Sequence, residues 1–444
     1  MVINIPPQVN RALEILHKAG FSAYVVGGAV RDAIMKKPGN DWDITTSALP
    51  EETLRIFSDF RTIETGIKHG TVTVIVDGTP LEITTYRIEH GYSDNRHPDK
   101  VDFTDRVEDD LSRRDFTVNA IAYSPINGFR DPFSGVQDIK DGVIRCVGEP
   151  DRRFGEDALR ILRALRFSAV LGFVIESKTS ASIHRNKHLL ANISVERIFV
   201  ELSKLLCGKD AGRILREYED VIFYILPELE PMKNCLQNHE RHVFDVWGHT
   251  VKAVENVEPF AELRFAMLLH DAGKPHCKTT DENGIDHFYS HGKISKRIAS
   301  DLLLRLKTST KFREEVCNLV EYHDFLPSKI SKKTYKKYIS LLGYETVEKL
   351  FSIRAADISA QSTAFYDEGI KENKTGMRIL EEIKNEKACF SIRQLAVGGK
   401  DLIETGFTPS PEIGRILETL LDEVMEEKIE NKKEALLKRA LQLK

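Results

Sequence analysis

Two aspartates stand one residue apart, at Asp41 and Asp43, in a segment that reads as a β-strand. Side chains of a strand alternate between its two faces, so both carboxylates are expected on one face, with Trp42 and Ile44 on the other. Paired carboxylates on a rigid strand can hold two divalent cations, one beside an attacking hydroxyl and one beside a leaving group. A solitary Asp-x-Asp is more often a solvated strand end, so the interpretation depends on its surroundings.

A third carboxylate, Glu82, lies on a predicted hairpin. Residues 71–76, the pair Asp77-Gly78 and residues 81–87 predict two antiparallel strands, because Asp-Gly favours the tight turn that hairpins use. Glu82 falls on the face opposite the apolar residues of its strand. It is therefore a candidate to join the two aspartates.

A glycine pair precedes the aspartates. Residues 23–26 predict a short apolar strand, which is followed by Gly27-Gly28 and by a helix start that contains Arg31. Glycines let phosphate oxygens approach the backbone, a helix start offers free N–H groups, and the arginine adds positive charge. A lone Gly-Gly is typical of an ordinary turn, but a strand, Gly-Gly, a helix and Asp-x-Asp within about twenty residues indicate a phosphate site.

The glycines and aspartates belong to a longer series of motifs. The series comprises Gly-Gly-Ala-Val-Arg-Asp (27–32), Asp-Trp-Asp (41–43), Arg-Arg-Asp-Phe-Thr-Val-Asn-Ala (113–120), Asp-Pro-Phe-Ser-Gly (131–135) and Glu-Asp-Ala-Leu-Arg (156–160). In this order the motifs resemble the nucleotidyltransferase superfamily. Within it, they resemble the class II tRNA nucleotidyltransferases (CCA-adding enzymes) and the related bacterial poly(A) polymerases.

The resemblance implies an activity and its partners. The implied reaction is template-independent addition of C, C and A to the 3′ end of tRNA from CTP and ATP, with Mg2+ as the metal and pyrophosphate as the product. A-only or poly(A) addition stays open, because poly(A) polymerases share most of the motifs. Two alternatives come from other classes. One is a phosphohydrolase with a non-catalytic nucleotide-sensing head, and the other is a non-catalytic RNA-binding protein.

The resemblance also implies residue roles. Asp41 and Asp43 bind the catalytic metals, with Glu82 as the candidate third acid. Arg114, Asp115 and Asn119 contact the sugar and the triphosphate. The other candidate nucleotide-binding residues are Gly28 and Arg31 at the glycine pair, Asp157 and Arg160, and Arg163 and Arg166, which could meet either the triphosphate or the RNA backbone. Their chemistry agrees, since Asp or Asn can hydrogen-bond a ribose 2′-hydroxyl and arginine offers a planar fork to phosphate.

Asp157 and Arg160 are a candidate template for the incoming base. At i and i+3 on a helix they would share one face. An acceptor beside a donor matches the amino group and ring nitrogen of cytosine and adenine, whereas uracil and guanine present the opposite pattern. The pair therefore predicts selection of CTP and ATP; an intrahelical ion pair is the alternative.

Residues 87–110 form a polar segment with little apolar periodicity. This segment resembles the flexible loop of CCA-adding enzymes, which CC-adding relatives lack. The resemblance implies that the chain can add the terminal A.

Eight of the 14 histidines fall between His239 and His323. With nearby aspartates they resemble an HD-type phosphohydrolase domain. The implied ligands are His249, His270, Asp271, His291, His323 and Asp357. Imidazole and carboxylate together suit a divalent transition metal such as Mn, Ni, Co or Fe. A decayed domain kept for packing and RNA contact is the alternative.

A basic stretch follows the histidines, at Lys329, Lys332, Lys333, Lys336 and Lys337, with two tyrosines between the lysines. This stretch is a candidate binding surface for RNA phosphates, and a solvated helix face explains it equally well. Residues 395–444 resemble the family's tail domain, which implies contact with the tRNA elbow.

Composition bounds the class of protein. The 444 residues carry 64 Lys and Arg against 68 Asp and Glu, a net charge of −4, and the six cysteines include no Cys-x-x-Cys. A disulfide scaffold is excluded, and a reduced cytoplasmic protein is expected. The absence of a long apolar run and of a signal-peptide pattern predicts no membrane partner.

The hydrophobic periodicity of the sequence and its interruptions predict the architecture. Mixed α/β patterns give way to a helical period near residue 151, with a break at 227–231 and a loop at Asn283-Gly284. We expect an α+β protein: a small nucleotidyltransferase α/β head (1–145), a helical neck (146–230), an HD-type helical domain (231–365) and a helical tail (366–444). The helical parts would form an elongated all-α body.

Overall fold

The computed structural model describes residues 3–39, 41–92, 99–325, 331–385, 389–426 and 428–443. The chain separates into two compact units, Met1–Pro227 and Glu228–Lys444. A mixed α/β head opens the chain and a helical body follows, which confirms the predicted α+β class. The finer division into four domains stays a prediction.

The first unit is built on a sheet. Its strands are β1 (Ala23–Val26), β2 (Asp43–Thr46), β3 (Arg61–Ile63), β4 (Thr71–Val76), β5 (Thr79–Thr85), β6 (Arg87–His90), β7 (Lys100–Phe103), β8 (Ala122–Ser124), β9 (Gly128–Arg130), β10 (Val143–Ile144) and β11 (Val174–Ile175). Seven of them form one sheet in the order β3-β4-β5-β2-β1-β8-β9. Strand β1 is buried throughout because it lies between β2 and β8.

Helices cover the sheet and extend beyond it. They are α1 (Pro7–Lys18), α2 (Gly28–Ile34), α3 (Pro50–Ile56), α4 (Val107–Ser112), α5 (Gly135–Asp141), α6 (Pro150–Glu156), α7 (Leu159–Leu171), α8 (Ser177–Asn186), α9 (Val195–Leu206), α10 (Ala211–Glu217) and α11 (Glu219–Ile225). Most of α7 is buried, because it packs against α9, α10 and α6. This central helix carries three of the predicted nucleotide-binding arginines.

The predicted β4–β5 hairpin is confirmed. Asp77 and Gly78 both have positive φ, at 49° and 80°, as a two-residue turn between twisted strands requires. Strand β5 also pairs in parallel with β2, with Ile44 opposite Ile83. The hairpin thereby brings its polar face beside the strand that starts at Asp43.

The polar segment 87–110 is more ordered than its sequence indicates. Strands β6 and β7 pair along their whole length, from Arg87 opposite Phe103 to His90 opposite Lys100, and α4 follows. The prediction of a loop is therefore wrong at both ends of the segment. Residues 93–98 lie outside the described residues.

The second unit is mainly helical. Its helices are α12 (Val246–Asn256), α13 (Ala261–Leu269), α14 (His291–Arg305), α15 (Thr310–Glu321), α16 (Lys332–Leu342), α17 (Tyr344–Ser359), α18 (Tyr366–Asn385), α19 (Gly399–Glu404), α20 (Pro411–Met425) and α21 (Lys433–Gln442). A hairpin of β12 (Lys278–Thr280) and β13 (Asp286–Phe288) flanks the predicted loop at 283–284. Among the described residues, no helix is both long and apolar enough to span a bilayer.

Candidate functional site

A cavity of about 640 Å³ opens in the first unit beside β1 and β2. Its lining includes all the predicted head residues except Glu82: Gly28, Arg31, Asp41, Asp43, Arg114, Asp115, Asn119, Asp157, Arg160, Arg163 and Arg166. Residues from four separate motifs thus face one space, in which cationic side chains outnumber the carboxylates.

The acidic side of this cavity differs in detail from the prediction. Strand β2 begins at Asp43, so Asp41 precedes the strand and does not share its face by strand alternation. Glu82 is exposed and lies outside the lining, but it stands one residue before Ile83, just as Asp43 precedes the paired Ile44. The two carboxylates are therefore neighbours on adjacent strands.

The Asp43 carboxyl group is electrostatically strained. Burial raises its pKa to about 6, and the negative charges of Asp41 and Glu82 add to the shift. Clustered carboxylates of this kind favour a bound cation, and carboxylate oxygens are the hard ligands that Mg2+ prefers. Asp41 and Asp43 therefore fit a magnesium site.

The glycine turn brings backbone and arginines together. Gly27 has a φ of 76°, and a Cβ built there would lie 3.1 Å from Arg114 Nη1. Within α2, Arg31 donates to the Asn119 side-chain oxygen at 2.7 Å and to Asp32 at 2.9 Å. A side chain at position 27 would both strain the turn and displace the guanidinium.

Asp115 anchors the opposite wall. It accepts hydrogen bonds from Arg163 Nε at 2.7 Å and from the Asn119 amide at 3.1 Å. Burial works against its charge, but Arg163 and Asn119 outweigh burial and lower the pKa of Asp115 to about 2. An ionised Asp115 therefore fixes the orientation of both side chains.

Asp157 and Arg160 both line the cavity, but they do not share a helix. Asp157 ends α6 in an extended conformation, with φ −140° and ψ 103°, and α7 begins at Leu159. The prediction that Asp157 and Arg160 share one helical face is wrong, because the helix is interrupted between them. Each side chain also has its own partner: Asp157 lies 3.1 Å from Arg197, and Arg160 lies 2.8 Å from Glu156.

Sequence reasoning missed the residues that hold this wall. Arg197 and Glu201 lie four residues apart on α9, where Glu201 contacts Arg166 at 3.2 Å. Arg113 supplies a backbone oxygen to Arg160 Nη2 at 2.9 Å. The i, i+4 spacing of Arg197 and Glu201 could have indicated a shared face, but nothing local connects them to the motifs.

The histidine cluster assembles within the second unit. His249 lies on α12, His270-Asp271 follow α13, His291 starts α14, His323 follows α15, and Asp357 lies on α17. Two groups have ligand atoms within 4.8 Å of one another: His249, His270 and Asp271, and Asp271, His291 and His323. Asp357 Oδ1 lies 2.9 Å from His249 Nε2. All six predicted ligands therefore meet, with Asp271 shared.

Buried polar atoms in this cluster lack ordinary partners. His270 Nε2 and both carboxylate oxygens of Asp271 are buried without a hydrogen bond among the described residues, although Lys274 Nζ lies 2.7 Å from Asp271. Burial and the charge of His270 lower the pKa of His323 to about 3, so its ring is neutral near pH 7. Clustered buried carboxylate oxygens and the neutral imidazole of His323 fit a divalent transition metal.

The lysine stretch does not form the predicted basic face. On α16, Lys336 is buried, Lys332 lies 3.0 Å from Glu382, and Lys333 pairs with Glu426. Lys337 is exposed, and Lys329 lies outside the described residues. The interleaved Tyr335 is fully buried, so helix packing explains much of this pattern.

Family models match three parts of the chain. The poly A polymerase head domain matches residues 23–145, the probable RNA and SrmB-binding site of polymerase A matches 172–233, and the putative tRNA nucleotidyltransferase domain 2 matches 278–440. The CCA-adding enzyme of Ligilactobacillus salivarius is 36% identical over 450 residues, which cover 100% of this chain and 98% of that protein. The chain belongs to the CCA-adding enzyme family.

Other relatives agree over similar lengths. The CCA-adding enzyme of Anoxybacillus flavithermus is 34% identical, with 97% of this chain and 95% of that protein covered. The crystal structure of the Bacillus stearothermophilus CCA-adding enzyme in complex with CTP has a TM-score of 0.76 and 30% identity, and covers 99% of this chain and 98% of that one. These matches confirm the prediction that the chain is a tRNA nucleotidyltransferase.

Proposed function

We propose that this chain adds C, C and A to the 3′ end of tRNA from CTP and ATP. The observation that carries the proposal is the single cavity lined by Asp41 and Asp43 on one side and by the motif arginines on the other. Related enzymes have been solved with CTP, with ATP and with tRNA, which supports the same partners here.

The side chains divide the reaction between them. Arg31, Arg114, Arg163 and Arg166 bind the triphosphate. Asn119 holds Arg31 and Asp115 holds Arg163, and both of these side chains face the sugar. Asp41 and Asp43 would hold Mg2+, which would supply positive charge beside the triphosphate and the attacking 3′-hydroxyl. The hydroxyl displaces pyrophosphate at the α-phosphorus, so catalysis is mainly positioning and charge neutralisation.

The base is selected by Asp157 and Arg160. Arg197 and Glu156 hold these two side chains from different helices, in place of the predicted shared helical face. The carboxylate accepts from an exocyclic amino group and the guanidinium donates to a ring nitrogen. UTP and GTP would place a carbonyl oxygen against the carboxylate and an N–H against the guanidinium, and such mispairing discriminates strongly.

Product length tests this proposal. A tRNA that lacks its last three nucleotides is incubated with each NTP alone and with CTP and ATP together. We expect two additions with CTP alone, three with both, and none with UTP or GTP. A ladder of many adenylates would establish poly(A) polymerase activity instead, and a single adenylate on a substrate ending in CC, with no C addition, would establish an A-adding enzyme.

We further propose that the second unit is a metal-dependent phosphohydrolase. The supporting observation is the buried cluster of imidazoles around the shared Asp271 carboxylate. His249, His270 and Asp271 would hold one divalent metal, and His291 and His323 would complete a second group. Such metals supply Lewis acidity toward water and a phosphoester.

Metal content tests this second proposal without relying on turnover. The full chain is loaded with Mn, Ni, Co or Fe, desalted and analysed by elemental mass spectrometry. We expect bound metal in the native chain and little in Asp271→Asn, since Asp271 belongs to both groups. A native chain that retains no metal and cleaves no phosphoester would identify the cluster as a packing remnant.

A further inference from the structure

Three guanidinium groups surround one aromatic ring at the nucleotide cavity. The Cζ atoms of Arg31, Arg163 and Arg166 lie 5.1, 5.3 and 4.1 Å from the centroid of the Phe167 ring. Arg31 comes from α2, whereas the other three residues lie on α7. The ring therefore connects a helix of the glycine motif with the helix that carries the remaining arginines.

Three like charges held this close together repel one another. Each guanidinium has one acidic partner: Arg31 lies 2.8 Å from Asp32, Arg163 lies 2.6 Å from Asp115, and Arg166 lies 3.2 Å from Glu201. These partners lie in three different segments of the chain, so no single acidic group holds the three arginines together. The negative face of an aromatic ring attracts cations and offers a common centre for all three.

The Phe167 ring lies at the cavity itself and not at a distance from it. Phe167 is 8% exposed and lines the same cavity as the arginines. It also packs edge-on against the fully buried Phe116, with ring centroids 5.9 Å apart. The core side of the ring is therefore anchored, and its contact with the three guanidiniums is held by the fold.

We propose that Phe167 is a positioning residue for the triphosphate, whose ring sets the spacing of the arginine trio. This inference rests on the proposed nucleotide-binding role of the cavity. In this arrangement the ring acts on the phosphates through the guanidiniums and does not contact the base. Its effect is consequently the same for every nucleotide and for a polyphosphate that has no base.

Inorganic tripolyphosphate separates this role from base stacking. Its binding to the full chain is measured by calorimetry, and its inhibition of addition is compared with the KM for CTP and for ATP. We expect Phe167→Leu to weaken tripolyphosphate binding and to raise both KM values by one common factor, about tenfold, with a smaller change in kcat. Phe167→Tyr, which keeps the aromatic ring, should stay close to the native values.

Each other outcome overturns the inference. Unequal KM changes for ATP and CTP with unchanged tripolyphosphate binding would show that the ring contacts the base. A lower melting temperature with unchanged tripolyphosphate binding would show that Phe167 only packs in the core. If the leucine variant does not fold, Phe167→Met gives the same comparison with a more adaptable side chain. Since calorimetry needs no turnover, failure of CCA addition in the native chain would count against the proposed function alone.

Discussion

At the residue scale, the acidic cluster makes a prediction about pH. The pKa of Asp43 is raised to about 6 from an ordinary 3.8, so folding favours its protonated form. In the metal-free protein this stabilisation is complete below pH 3.8 and is lost as the pH rises through 6. Magnesium needs the carboxylate, so we expect its affinity to fall below pH 6 and its binding near that pH to release protons.

Calorimetry in two buffers of different ionisation enthalpy measures this proton release. Glu82→Gln is the matched variant, because it removes a neighbouring negative charge without touching either aspartate. It should move the midpoint of the Mg2+ affinity profile to lower pH. An unchanged midpoint would show that Glu82 does not act on Asp43 and would remove it from the metal site.

A second residue-scale prediction concerns Arg197, which the motifs do not include. Its contact with Asp157, at 3.1 Å, positions the carboxylate proposed to read the base. We expect Arg197→Met to raise UTP incorporation relative to CTP, in the same direction as Asp157→Ala but by less. Competition between labelled CTP and UTP measures the ratio. If Asp157→Ala relaxes base choice and Arg197→Met leaves it intact, Arg197 has no positioning role.

At the scale of secondary structure elements, the sequence predicted what is local. Strand β1, the start of α2 and the β4–β5 turn all appear where apolar runs, glycines and Asp-Gly predicted them. Most of the predicted head residues also line the cavity, because they belong to short contiguous motifs or to the helix that follows the last motif. These features depend on backbone preferences within a few residues.

Features that depend on contacts between residues far apart in the sequence could not be predicted from local patterns. The ladder of β6 and β7 joins two runs of four residues each, which are too short for their alternation to predict a strand by itself. The break between α6 and α7 separates Asp157 from Arg160, which a helical period across 156–160 conceals. The lysines of α16 predicted an exposed basic face, but two of them pair with acidic residues far away in the sequence, at positions 382 and 426.

Two glycine turns allow a matched test at this scale. Gly27 and Gly78 both have φ near 80°, but a Cβ at 27 meets Arg114, whereas a Cβ at 78 has open space around it. Alanine at either position should lower the free energy of unfolding of the first unit by about 1 kcal/mol. Thermal melting measures that loss, and steady-state kinetics should show a raised KM for CTP in Gly27→Ala alone. A similar rise in Gly78→Ala would indicate general strain.

At the scale of the whole molecule, the chain carries two chemically distinct clusters in two compact units. One is a carboxylate and arginine cavity suited to a magnesium nucleotide, and the other is an imidazole and carboxylate cluster suited to a transition metal. Because the ligand sets share no residue, each should be removable without loss of the other. A decisive experiment therefore needs one variant from each unit.

The most direct test compares Asp41→Ala and Asp271→Asn in the full chain. Nucleotide addition to a tRNA without its CCA end is followed on sequencing gels, and phosphoester hydrolysis and metal content are measured on the same preparations. We predict that Asp41→Ala abolishes addition and keeps the transition metal, whereas Asp271→Asn loses the metal and still completes CCA. Continued addition by Asp41→Ala would contradict the central claim that the head carboxylates drive nucleotidyl transfer.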